Sequence, residues 1–225
     1  MPLPLIAVGV AALVSAVGAA GAATRRYFRQ PLGVMVVGQS LTGKTTLLNH
    51  WRGEWEDDPL RTLRSVRIAE FEVPTKDKVL GIERYLVFQN VKDVSGLDEA
   101  MRGFLDEVKA AAAVVYLVNA VHLHEEEARP AEQPHAAEWV RVLDDAGRIK
   151  RHCEKAGKVV IGVTHTDLDP RFAALGPAAY LAAVTEQLAA VLSKTGAGRT
   201  SVVAGSLLTR DSAAEFAEAV VETLL

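Results

Sequence analysis

Eight consecutive residues combine glycine, lysine and threonine in a pattern that can bind a phosphate chain. They read GQSLTGKT and comprise Gly38, Gln39, Ser40, Leu41, Thr42, Gly43, Lys44 and Thr45. A loop with the spacing G-x-x-x-x-G-K-[ST] can wrap phosphates, because its backbone N–H groups point inward and the next helix adds the positive end of its dipole. The stretch therefore predicts a nucleoside triphosphate site, although it does not select the base. The alternative is a glycine-containing turn that binds nothing.

Within this phosphate loop, each residue type has its own task. Gly38 and Gly43 permit the unusual backbone. Lys44 can bridge the β- and γ-phosphates as a mobile cation, and the Thr45 hydroxyl can complete the coordination shell of Mg²⁺. Thr46, the next residue, is counted with the loop as a candidate nucleotide contact.

The loop is expected to join a buried strand to a helix, and such elements alternate along the rest of the chain. Strand-like runs cover residues 34–37, 65–73, 85–91, 113–118, 159–163 and 201–204. Helical patterns cover residues 45–51, 97–112, 136–156, 177–194 and 212–225. Residues 74–81 are expected to form a long hairpin loop, and residues 122–134 a polar insertion. This order predicts an α/β fold with a mainly parallel sheet, helices on both faces, and a ligand at the carboxyl ends of the strands.

The loop after the strand at 85–91 carries a second group suited to phosphate chemistry. Residues 93–96 read DVSG. The carboxylate of Asp93 can hold Mg²⁺ through a water molecule, and the Gly96 amide can meet a γ-phosphate. This loop therefore extends the predicted site from the phosphate chain to its metal ion.

The loops after the last two strands suit a guanine base. Residues 164–167 read THTD, and a carboxylate at Asp167 can accept hydrogen bonds from N1–H and the 2-amino group of guanine, which adenine cannot offer. Gly205, Ser206 and Leu207 follow the strand at 201–204, where a backbone N–H could donate to the guanine carbonyl oxygen. Thr164 and His165 complete the set of candidate base contacts.

Composition limits the other classes of function. The net charge is -3 and no basic face is visible, so nucleic acid is not an expected partner. The single cysteine, Cys153, excludes an internal disulfide framework.

The N-terminal stretch at residues 3–23 contains no charged residue and has about the length of a helix that spans a bilayer. Arg25, Arg26 and Arg29 follow it, an order that predicts a single-pass membrane protein with the basic side in the cytoplasm. A cleavable signal peptide and a helix buried against protein or at the membrane interface are the alternatives.

With these motifs in order, residues 32–225 resemble the Ras-like small GTPases of the P-loop class. GQSLTGKT matches their phosphate loop, DVSG their D-x-x-G, and THTD their [NT]-K-x-D with one substitution. The resemblance implies a G domain at residues 30–225 that follows a hydrophobic helix and basic flank at residues 1–29. It also implies GTP and GDP as ligands, Mg²⁺ as cofactor, and a protein effector or activating partner. The membrane-anchored arrangement is similar to that of the β subunit of the signal recognition particle receptor.

The resemblance also implies roles in hydrolysis, with two departures. Lys44 and a switch threonine would serve the reaction, and the threonine would also bind Mg²⁺; Thr62 is favoured for it, and Thr75 fits only if the hairpin is shorter than expected. His165 stands where the family usually has lysine. Leu97 stands where Ras has the glutamine that orients the attacking water, so unaided hydrolysis is expected to be slow.

Two other functions remain open. A non-catalytic scaffold that holds GTP is favoured by Leu97. A P-loop ATPase or kinase is less favoured, because the apolar run at residues 113–120 ends without a carboxylate that could bind the metal ion.

Overall fold

A computed structural model describes residues 29–56, 66–79, 82–89, 92–93, 111–126, 134–152 and 156–225. Several sequence predictions lie outside these ranges. They are the assignments made to residues 3–23, Thr62, Gly96, Leu97 and Cys153, together with most of the helix expected at residues 97–112.

The described part alternates strands and helices. Its strands are β1 (Arg29–Gly38), β2 (Val66–Arg67), β3 (Phe71–Val79), β4 (Ile82–Gln89), β5 (Lys92–Asp93), β6 (Ala113–Asn119), β7 (Lys158–Thr164) and β8 (Thr200–Ala204). Its helices are α1 (Lys44–Trp51), α2 (Ala120–Glu126), α3 (Pro134–His152), α4 (Pro170–Leu175), α5 (Pro177–Gln187), α6 (Ala189–Thr195) and α7 (Arg210–Leu224). Short 3₁₀ turns cover Thr166–Leu168 and Ala197–Arg199.

The strands form a mainly parallel sheet, in the order β2-β5-β1-β6-β7-β8. β1 is parallel to β6, β6 to β7, and β7 to β8. β1 also pairs in parallel with β4 along its first half and with β5 at Val36, while β3 and β2 add antiparallel pairs at that side. The predicted α/β fold with a mainly parallel sheet is therefore confirmed.

Alternating side chains of the central strands build two cores, one on each face of the sheet. In β6, Val114, Tyr116 and Val118 point to one core, and Val115 and Leu117 point to the other. The first core is closed mainly by α2, α3, α5 and α6, and the second by α1 and α7. Because β6 is apolar on both faces, it reads as a continuous hydrophobic run, as expected for a central parallel strand.

The hairpin is shorter than the sequence predicts. Residues 74–81 were expected to be a loop, but β3 continues to Val79 and pairs with β4, which begins at Ile82. The pairing is irregular between Pro74 and Lys78. Proline and the charged residues after it resemble a loop, yet β3 pairs only with β4 among the described strands, and an edge strand tolerates proline and a local irregularity.

Three assignments that concern helices also need correction. The single helix expected at residues 177–194 is divided at the buried Leu188 into α5 and α6. α2 occupies part of the expected polar insertion. α4 was not predicted, although the Asp169 side chain caps it and Pro170 begins it. A capping aspartate followed by proline is a recognisable signal for the start of a helix. The helix is too short to show a periodic apolar face as well, so the signal stood alone.

The predicted single-pass membrane location is contradicted by the helices that the structure describes. Within the described ranges, no helix is both long enough and apolar enough to cross a bilayer. Even α3, with 19 residues, carries acidic and basic side chains along its length. Residues 3–23, where the membrane span was expected, lie outside the described ranges.

A buried hydrogen bond between β6 and α3 provides a test of this packing. The Tyr116 hydroxyl donates to Oδ2 of Asp145 at 3.0 Å. Burial, and then the neighbouring carboxylate, raise the pKa of Tyr116 well above its usual value. We expect Tyr116→Phe to lower the free energy of unfolding by about 1–3 kcal/mol, because Asp145 loses a buried donor. Urea unfolding would measure the change, and unaltered stability would contradict this account.

Candidate functional site

The phosphate loop begins where β1 approaches β6 closely. Gly38 has a φ of 147°, and a Cβ atom built there would lie 2.3 Å from the backbone oxygen of Leu117. It would also lie 2.9 Å from Oγ1 of Thr42. A larger residue would therefore collide with the backbone of the neighbouring strand, so glycine is needed for the loop to start here.

The loop ends at a second glycine that begins α1. Gly43 adopts a left-handed conformation with a φ of 81° and caps α1 without a side-chain hydrogen bond. The first N–H groups of a helix have no partner within the helix. The start of α1 thus combines backbone donors with the positive end of the helix dipole, an arrangement suited to an anion.

Lys44 is held inside the loop. Its side chain is buried, and its ammonium donates to the backbone oxygen of Gln39 at 2.5 Å. The Thr42 hydroxyl donates to the same oxygen at 2.9 Å. A buried ammonium is stable only with polar partners. The loop therefore places a cation next to the backbone donors, as phosphate binding requires.

Leu41 lies at the outer side of the loop in a strained conformation. It has a φ of 62°, and the residue is 71% exposed. Few residues other than glycine adopt a positive φ, because Cβ then crowds the backbone. Such strain persists where the surrounding structure enforces it, and it concentrates at functional sites.

Thr164, at the end of β7, joins the phosphate loop to the next candidate loop. Its buried hydroxyl oxygen lies 3.1 Å from the backbone oxygen of Thr42 and 3.3 Å from that of Val118. It also lies 3.0 Å from Nδ1 of His165. A hydroxyl has one proton to donate, so it can donate to one carbonyl and accept from Nδ1–H. THTD and GQSLTGKT are therefore in direct contact.

His165 forms a tight turn after β7 with a φ of 59°. Burial lowers the pKa of its imidazole; the Asp167 carboxylate opposes this effect, and His122 adds to it. The net shift is downward, so the ring is mainly neutral at pH 7. A neutral, half-buried aromatic ring is thus held beside the Asp167 turn.

Asp167 is brought next to the loop that follows β8. The Ser206 hydroxyl donates to Oδ1 of Asp167 at 2.5 Å, and the Leu208 N–H donates to Ser206 Oγ at 3.1 Å. The Gly205 N–H donates to the Val163 oxygen at 2.9 Å, which ties this loop to the end of β7. The Asp167 side chain is exposed, so its carboxylate can still accept hydrogen bonds from a ligand.

Leu207 connects the loop after β8 to the phosphate loop, because its side chain lies next to Gly43. A Cβ atom on Gly43 would lie 2.4 Å from Cδ1 of Leu207. The structure therefore brings together three of the predicted segments, which are the phosphate loop, the THTD turn and the loop at residues 205–207.

For the remaining predicted residues, the structure gives mainly the element to which each belongs. The backbone of Asp93 pairs with Val36, beside the strand that leads into the phosphate loop. Thr45 and Thr46 lie in the first turn of α1. The hairpin is shorter than expected, as the assignment of Thr75 as the switch threonine required, but Thr75 lies inside β3 and is buried.

Comparison with protein-family models and with curated proteins finds no match to this chain. The described residues also contain no group of three or more histidine, cysteine, aspartate or glutamate side chains that could hold a metal ion. The geometry and the sequence motifs therefore carry the functional argument by themselves.

The sequence did not point to the polar cluster behind the THTD turn. Asp169, Arg171 and Tyr180 meet there in a buried hydrogen-bond network. The cap signal at Asp169 was readable, but its contact with Tyr180 is not, because that contact depends on how α5 packs on α4.

The two constraints on Gly43 can be separated by mutation. We expect Gly43→Ala to lower the free energy of unfolding by about 1–3 kcal/mol from backbone strain, with a further loss from collision with Leu207. Gly53→Ala is the matched control, because Gly53 has a φ of 76° and no described atom within 4 Å of an added Cβ. Adding Leu207→Ala to Gly43→Ala should restore only the part of the stability that the collision removes. Urea unfolding of the three variants checks this, and equal losses in Gly43→Ala and Gly53→Ala would contradict the collision.

Proposed function

We propose that this chain is a GTP-binding protein with the P-loop fold of the Ras-like small GTPases, and that it hydrolyses GTP slowly. The observation that carries the proposal is the hydroxyl of Thr164, which links the phosphate loop to the turn that bears Asp167. One ligand with a phosphate chain and a guanine base would meet both segments.

The phosphate chain would bind at the start of α1. Its oxygens would replace the Gln39 carbonyl as partners of the Lys44 ammonium. Backbone N–H groups of the loop and the helix dipole would stabilise the remaining charge. This part of the proposal concerns any nucleoside triphosphate.

Mg²⁺ would be held by few protein ligands, as is usual where phosphates supply the others. Two backbone positions support this: Thr45 lies in the first turn of α1, and Asp93 pairs with Val36 of β1. Thr62 would complete the set as the switch threonine. The ion would neutralise the charge that develops on the phosphate oxygens.

The base would be selected by Asp167. Its carboxylate would accept hydrogen bonds from guanine N1–H and the 2-amino group, while the Ser206 hydroxyl fixes its orientation. The Leu207 backbone N–H would donate to the guanine carbonyl oxygen, and the neutral His165 ring would pack on the base plane. Adenine would place an acceptor, N1, against the carboxylate, which disfavours an ATPase or kinase.

Slow hydrolysis is proposed because Leu97 cannot orient a water molecule by hydrogen bonding. A protein partner would then supply the missing group or read the bound state. The same residue favours the second candidate function, a scaffold that holds GTP without turnover.

Base selection can be tested with a substitution that reverses the hydrogen-bond pattern. In the full-length protein, we expect Asp167→Asn to weaken GTP binding by about 10- to 150-fold, because a charged acceptor is lost. The same change should strengthen binding of xanthosine triphosphate, because the carboxamide can donate to its C2 oxygen. Asp211→Asn, at an exposed position in the first turn of α7, is the control. Titration calorimetry would measure both affinities, and unaltered GTP affinity in Asp167→Asn would refute the assignment.

Turnover separates the switch from the scaffold. We expect single-turnover phosphate release from bound GTP on the order of 10⁻³ s⁻¹ or slower, and a rise on the order of tenfold in Leu97→Gln, where water can be oriented. Radiolabelled phosphate release would measure both rates, with Lys44→Ala as a background. Absence of turnover above that background in both proteins would favour the scaffold.

A further inference from the structure

A buried carboxylate lies directly behind the turn that bears Asp167. Asp169 is 2% exposed, and its Oδ2 accepts from the Tyr180 hydroxyl at 2.9 Å and from Nη2 of Arg171 at 2.9 Å. Its Oδ1 accepts from the Arg171 backbone N–H at 2.9 Å. One side chain thus caps α4, binds a cation and holds a tyrosine of α5.

The network continues into α2. Nη1 of Arg171 donates to Oε1 of Gln187 at 3.1 Å, and Nε2 of Gln187 donates to the backbone oxygen of Leu123 at 3.4 Å. Tyr180 is also fixed by an edge-to-face contact with Phe172, with ring centroids 5.1 Å apart. Three helices on one side of the sheet are therefore tied to the end of the turn.

The turn that bears Asp167 is held at both ends. At its front, the Thr166 N–H lies 3.5 Å from the Gly205 oxygen. At its rear, the Asp169 N–H donates to the Thr166 oxygen at 3.2 Å. Asp167 is midway between these anchors, so a shift of Asp169 would rotate the backbone that carries the Asp167 carboxylate.

The network keeps its charge at neutral pH. Burial raises the pKa of Asp169, but hydrogen bonds from the Arg171 side chain and backbone and from Tyr180 outweigh this and hold the pKa below its usual value. Burial and then the Asp169 carboxylate raise the pKa of Tyr180, which keeps its hydroxyl a donor. A charged, fully bonded side chain has few alternative positions, because each displacement leaves a buried polar group unpaired.

We propose that Asp169, through Arg171 and Tyr180, is a positioning residue that sets the angle of Asp167 and so determines how well guanine is distinguished from bases without its 2-amino group. The inference rests on the proposed GTP binding. It assigns a specificity role to residues that would not touch the nucleotide.

Inosine triphosphate is the probe for this role, because hypoxanthine retains N1–H and lacks only the 2-amino group. The ratio of its dissociation constant to that of GTP would be measured by titration calorimetry with the full-length protein. The variants are Tyr180→Phe and Asp169→Asn. Tyr116→Phe is the matched control, because it removes the same kind of buried hydroxyl-to-carboxylate bond from a pair on β6 and α3.

We expect the wild-type protein to prefer GTP by about tenfold or more, since a hydrogen bond to a charged group discriminates by that order. In Tyr180→Phe and Asp169→Asn the preference should fall by about threefold or more, mainly through weaker GTP binding. Tyr116→Phe should lower the melting temperature and leave the ratio unchanged. If Asp169→Asn does not fold, Tyr180→Phe decides the question.

Two negative results are distinguishable. A wild-type preference for GTP that persists in Tyr180→Phe despite a lower melting temperature shows that the network only stabilises the fold, and overturns the inference alone. A wild-type protein that binds GTP no better than ATP, titrated in the same way, overturns the proposed function, and the inference with it.

Discussion

The site depends on one hydrogen bond, from the Thr164 hydroxyl to the backbone oxygen of Thr42. The two residues are far apart in sequence and meet because β6, between β1 and β7, brings the carboxyl ends of these strands to the same edge. The bond is buried, so losing it would leave a carbonyl without this donor in a dry environment. The phosphate loop and the THTD turn are thereby fixed relative to each other.

Around this bond, two charged side chains form hydrogen bonds with other residues of the site. Lys44 donates to Gln39, and Asp167 accepts from Ser206. Each contact lowers the free energy of a charged side chain without occupying all of its hydrogen-bonding capacity. Preorganisation of this kind reduces the ordering cost of binding.

The sequence predicts the parts of this molecule that follow from local patterns. Alternating buried strands and helices, the glycines of the phosphate loop and the acidic turn after β7 were all readable, because each depends on residues near in sequence. The extension of β3 past Pro74 was not readable, since pairing with β4 outweighs the polar composition. The break at Leu188 and the bond from Tyr180 to Asp169 depend on helix packing, which residue order does not encode locally. The membrane span predicted at residues 3–23, from its length, its lack of charge and the arginines after it, has no counterpart among the described helices.

The missing side-chain cap at Gly43 has a thermodynamic consequence. Most helices complete their first turn with an oxygen supplied by the chain itself. If α1 binds an anion as proposed, the ligand would add such an oxygen and become a structural component of the helix. Folding and binding would then be linked equilibria, and the apparent stability would increase with the logarithm of ligand concentration. The amount of the protein in the cell would then increase with ligand concentration, because a smaller fraction would be unfolded and degraded.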